Sequence, residues 1–235
     1  LARTSQASYL FIFMVTFYYY QWFYKNLKIY PFLIAFFISF LVGTKSIYLA
    51  MFNLIVFHFV FNWKRLSKKQ LYILPTLLIL IFIGSRTFLK NTINLFYEIY
   101  NKEGLLTAIF SYRNKELLDY ISIEVVENWT WVNYVFGSGN FLTTVRTELE
   151  VFDLFFFFGL SGIIIFIYVY YRLFSFVKLN KFNLFFILNI GLISMLAGNL
   201  IHSPELPLYL YIVLMYFNKK EDIELLSKKG IHKFV

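Results

Sequence analysis

Residues 151–171 read VFDLFFFFGLSGIIIFIYVYY, with Asp153 as the one charged side chain in the run. A helix needs about 20 largely apolar residues to cross a bilayer, and this stretch supplies them. Working outward, six further runs share its character: 8–24, 29–43, 47–63, 71–84, 182–200 and 204–217. The fold class expected is therefore an all-α integral membrane protein with about seven transmembrane helices. Residues 1–84 hold the first four, 151–217 the last three, and 218–235 form a cytoplasmic tail. Between them, 85–150 is one large external loop.

The basic residues orient these spans. Lys25 and Lys28 follow the first. Lys64, Arg65, Lys68 and Lys69 follow the third. Arg172, Lys178 and Lys181 separate the fifth from the sixth, and Lys219, Lys220, Lys228, Lys229 and Lys233 follow the seventh. These are alternate connections, so an odd number of crossings puts every basic cluster in the cytoplasm. The chain start, the 44–46 turn, residues 85–150 and the 199–204 turn then lie outside.

Composition agrees. Of 235 residues, 60% are hydrophobic and 23% aromatic, while only 15% are charged. Mean hydropathy is +0.65. An ordinary soluble domain is near half apolar and a quarter charged, so lipid must solvate much of this surface. The net charge of +9 does not indicate nucleic acid, because the Lys and Arg residues sit at the ends of apolar runs. The absence of Cys excludes disulfides, thioether-linked haem and Cys-ligated zinc. Leu1 and Arg3 precede the first run without a signal-peptide pattern, and the chain reads as the C-terminal part of a longer protein.

The segment 85–150 is too long for a simple connection and too aromatic for disorder, so a folded external lid is expected. Within it, 91–101 and 115–127 have the pattern of amphipathic helices lying on the membrane. The tail 219–235 has helical spacing and reads as a cytoplasmic surface helix.

Charges at span ends are the candidates for chemistry. Arg146, Glu148, Glu150 and Asp153 form the densest group. If the fifth span is helical from about residue 146, Arg146, Glu150 and Asp153 share one face. The plain alternative is a salt-bridge cluster that ends the helix. Arg86 and Lys90 stand at the outer end of the fourth span, and Arg113 lies mid-loop. Three Arg residues on the outer side run against the usual bias, and Arg suits bidentate phosphate binding. His202, beside Glu205 in the last outer turn, is a candidate acid or base. His58 lies within an apolar span and His232 in the tail. No His pair has metal-ligand spacing, so no metal is expected. Gly137-Ser138-Gly139 lacks the Lys-Ser or Lys-Thr of a phosphate loop and reads as a turn.

The order of these features resembles the C-terminal portion of the bacterial O-antigen polymerase and ligase superfamily. Thr44-Lys45-Ser46 lies between two spans. Gly84-Ser85-Arg86 opens the external loop. Val135-Phe136-Gly137-Ser138-Gly139 comes near its end, followed by Glu148 and Asp153. Gly159-Leu160-Ser161-Gly162 stands within the next helix. The likeness spans roughly residues 30–215. Lys45 stands where many relatives carry Arg. Relatives of the ligase type carry a His-Asn pair ahead of the Gly-x-x-Gly helix, where this chain has Glu148 and Asp153, so the polymerase is the closer likeness.

That resemblance implies a GT-C-like, metal-independent glycosyltransferase of the bacterial cytoplasmic (inner) membrane, working on the periplasmic face without a cofactor. It implies an undecaprenyl-diphosphate-linked glycan as donor and a chain-length regulator as a candidate partner. Arg86, Arg113 and Arg146 would hold the diphosphate. Glu148 or Asp153, then His202, would act as base. The rival readings are an O-antigen ligase and a transporter or flippase of a lipid-linked or anionic substrate.

Overall fold

The structure, a computed structural model, describes residues 2–42, 44–62, 86–138, 147, 149–178, 180–198, 200, 203 and 205–228. Within them the chain is all-helical and carries no strand. The helices are α1 (Ala2–Lys25), α2 (Tyr30–Val42), α3 (Lys45–Asn62), α4 (Arg86–Phe110), α5 (Arg113–Tyr120), α6 (Val126–Asn128), α7 (Trp131–Phe136), α8 (Glu150–Phe174), α9 (Lys181–Ala197) and α10 (Glu205–Lys228), with a π turn at Ile121–Val125 joining α5 to α6.

Helices occupy six of the seven expected runs, and the run 71–84 lies outside the described residues. Their ends follow local chemistry. Pro31 falls in the first turn of α2, where its missing N–H leaves no bond unmade. The Thr44 hydroxyl accepts from the Ile47 N–H at 3.4 Å ahead of α3. The Asn180 side chain accepts from the Asn183 N–H at 2.7 Å ahead of α9. Both satisfy donors that a helix start leaves free.

Helix α1 packs against α2, α3 and α10, while α9 packs against α3 and α8. The core is aromatic. Tyr19 stacks on Phe182 with ring centroids 6.0 Å apart, and Trp22 stacks on Phe32 at 5.3 Å. Buried polar groups tie the helix ends. At one end Asn218 accepts from Asn183 at 2.9 Å, and Tyr20 donates to the Phe217 carbonyl at 3.2 Å. At the other, Ser8 bonds Thr44 at 2.9 Å, and Gln6 donates to Ser203 at 2.9 Å. Each group joins residues that the basic-cluster pattern assigns to one side.

Among the described residues, α3 and α8 are long and apolar enough to cross a membrane by length and composition. Two of the sequence expectations change. The described part of the tail does not form a separate helix: α10 runs unbroken to Lys228, because no Pro or Gly interrupts 208–228, and 229–235 lie outside the described residues. Helix α8 begins at Glu150, not near 146, since Leu149 is extended at φ −109° and ψ 97°. Arg146, which the sequence reading set on one face with Glu150 and Asp153, lies outside the described residues.

In the loop segment, the expected amphipathic stretches are α4 and the α5–α6 run, both longer than their patterns suggested. Helix α4 is broken at Gly104 (φ 85°). On its exposed face, Lys102 donates to Glu98 at 2.7 Å and holds that carboxyl below its usual range.

Candidate functional site

Side chains from separate helices converge on the turn that follows α9. Gly198 ends α9 with φ +61°, a left-handed conformation open to glycine. Around it, Tyr9 of α1 donates its hydroxyl to the Gly198 carbonyl at 2.8 Å. Arg113 of α5 donates to the Leu196 carbonyl at 2.8 Å. Glu150 of α8 accepts from the Ser194 hydroxyl at 2.5 Å and from the Leu200 N–H at 3.0 Å.

Glu150 is only 1% exposed. A carboxylate so placed must be hydrogen-bonded to persist, and its two donors come from α9 and the turn beyond it. Lys45, at the start of α3, donates to the Ala108 carbonyl at 2.9 Å and to Ser111 at 2.8 Å. Its ammonium also lies 5.8 Å from the centre of the Phe96 ring. Lys45 and Arg113 thus each meet the carbonyl end of another helix, where positive charge is favoured. Together they fasten the loop segment to the bundle.

Asp153 is 2% exposed. Its Oδ1 accepts both donors of Thr147, the N–H at 2.9 Å and the hydroxyl at 2.8 Å. The Thr147 hydroxyl in turn accepts from the Leu149 N–H at 3.2 Å. These bonds fold the chain into the start of α8.

The two glycine motifs meet. Gly137 has φ +82° and Gly159 has φ +62°. A Cβ on Gly137 would fall 2.3 Å from the Phe157 carbonyl oxygen, and one on Gly159 would fall 2.4 Å from the Val135 carbonyl oxygen. Between them the Ser138 N–H donates to the Phe156 carbonyl at 2.8 Å. Each glycine is required by the backbone of the other motif.

Of the residues singled out by sequence, Arg113 and Asp153 stand in these networks, and Arg86 is the first residue of α4. Arg146, Glu148 and His202 lie outside the described residues. Tyr9 and Ser194 were not anticipated, and Glu150 was seen only as one of a charge group. Nothing local marks Tyr9 or Ser194, because their partners lie far along the chain. Among the described residues no three His, Asp or Glu side chains gather as a metal site would need.

No family model, curated protein or solved structure matches this chain.

Proposed function

We propose that this chain belongs to a multi-pass, O-antigen-polymerase-like glycosyltransferase of a bacterial inner membrane. It would join lipid-linked oligosaccharide repeat units on the periplasmic face. The observation that carries this reading is the contact between Val135–Ser138 and Gly159. Two short motifs that resemble one family, whose glycines at 137 and 159 sit on successive elements, require each other's glycine. The polar ends of α1, α3, α8 and α9 gather on the same side as the loop segment, which also supports it.

The reaction moves a glycan from undecaprenyl diphosphate to a hydroxyl of a second lipid-linked unit. The acceptor oxygen bonds to the anomeric carbon, the bond from that carbon to the diphosphate breaks, and the hydroxyl proton passes to a base. Arg86, Arg113 and Arg146 would stabilise the leaving diphosphate. Glu148 or Asp153, then His202, would act as base. Neither a metal nor a cofactor is required.

Deleting the gene and separating the surface polysaccharide on a gel tests the reading. A ladder that collapses to one repeat unit on its anchor supports a polymerase. Long chains left on the carrier lipid indicate a ligase instead. An unchanged ladder overturns the proposal.

A further inference from the structure

We propose that residues 129–138 do not stand in the external solvent but dip into the outer leaflet of the bilayer beside α8, with Trp131 and Phe136 against lipid. The inference rests on α8 crossing the membrane, as the proposed function requires.

Depth is the first argument. The segment is fastened to α8 at Phe156, Phe157 and Gly159. Trp129 adds ring contacts to Phe155 at 5.6 Å and Phe156 at 6.0 Å. At a rise of about 1.5 Å per residue, Phe156 stands about 9 Å along α8 from Glu150, before the helix breaks at Gly159 (φ +62°, ψ −165°). The apolar run of α8 starts at Val151, so this level falls within the outer half of a hydrocarbon layer about 30 Å thick.

The surface presented at that level is the second. Trp131 is 74% exposed and Phe136 59%, with Val132 and Tyr134 each 42%. On the α8 surface beside them, Phe158 and Leu160 are 43% and 53% exposed. No charged residue occurs from 128 to 145, although the segment before it is rich in charge. Water offers no reason for an uncharged aromatic surface of this kind, whereas a bilayer does.

Backbone satisfaction is the third. Lipid tolerates non-helical backbone only where its polar groups are paired. Here the Thr130 N–H donates to Asn133 Oδ1 at 2.9 Å. The Gly137 N–H reaches the Asn133 carbonyl at 2.7 Å, and the Ser138 N–H reaches Phe156. The Gly137 carbonyl accepts from Asn133 Nδ2 at 3.4 Å. One asparagine closes both ends of α7.

The test uses the full chain in phosphatidylcholine vesicles, with Trp22, Trp63 and Trp129 replaced by Phe so that Trp131 alone fluoresces. Lipids brominated on the acyl chain should remove most of its emission, and aqueous acrylamide should remove little. A parallel Ile165→Cys variant, labelled with a lipid-quenchable dye, reports on α8 itself. Quenching of both probes by brominated lipid supports the proposal. Quenching of the Ile165 label alone, with Trp131 open to acrylamide, overturns it and leaves the membrane reading intact. Quenching of neither overturns both.

Discussion

The Glu150 carboxylate and the Leu200 N–H, fifty residues apart in the chain, meet at 3.0 Å in a buried contact. Ser194 donates to the same oxygen. Glu150 therefore joins the start of α8 to the end of α9 and to the turn beyond it. Removing the carboxylate strands two donors where water cannot reach them. Glu150→Ala is expected to cost about 1–3 kcal/mol for the unsatisfied groups, and Glu150→Gln distinctly less, since the amide keeps an acceptor oxygen. Denaturation of the purified protein in detergent measures both. Equal stability of the wild type and Glu150→Ala would show that this contact does not hold the turn.

The paired glycines make a sharper case. Gly159→Ala imposes a left-handed backbone on a side chain, costing about 1–2 kcal/mol. It also drives a methyl into the Val135 carbonyl, for which about 1–3 kcal/mol more is expected. Gly137→Ala should cost as much, against Phe157. The two losses should not add, because either one already separates the backbones. Gly104→Ala is the control: its φ is +85° but no atom lies within 4 Å of the added carbon, so only the backbone strain remains. A double-mutant cycle read by unfolding in detergent decides it, and strict additivity would rule out the splice.

How much of this was legible beforehand varies with the range of the interaction. Hydropathy is local, so it located α2, α3, α8 and α9 to within a few residues, while α1 starts six residues before its run and α10 continues eleven residues past its own. Helix starts were less legible where a side chain folds back. Asp153 was read as one charge on a helical face, yet its bonds to Thr147 set where α8 begins. The glycine motifs were visible as motifs, but their contact was not. The Tyr9–Gly198 and Glu150–Ser194 pairs could not be read at all, because no spacing rule relates residues 189 or 44 positions apart.

Lys45 and Arg113 meet helix carbonyl ends, so part of their role is to hold the loop segment in place. Arg113→Ala should loosen that attachment and, on the proposed function, weaken donor binding. A rise in KM for the lipid-linked donor of about tenfold, equivalent to about 1.4 kcal/mol, is expected. Arg113→Lys should recover stability but only part of the binding, since an ammonium lacks the planar fork suited to phosphate. Kinetics with a purified lipid-linked repeat unit read KM and kcat separately. An unchanged KM for Arg113→Ala would remove Arg113 from the diphosphate site.

Asp153 and Glu148 can be told apart by conservative replacement. The bonds of Asp153 to Thr147 need one oxygen, Oδ1, which accepts from both the N–H and the hydroxyl. Asp153→Asn keeps that oxygen, so the turn and the polysaccharide ladder should both survive. Asp153→Ala removes it and leaves the buried Thr147 donors unpaired, costing about 1–3 kcal/mol and shortening the ladder through a misplaced turn. Glu148→Gln should leave protein level unchanged and abolish the ladder, because an amide cannot take the proton of the acceptor hydroxyl. The opposite pattern, a full ladder in Glu148→Gln and none in Asp153→Asn at normal protein level, would move the base to Asp153 and make its bonds to Thr147 the means of orienting it.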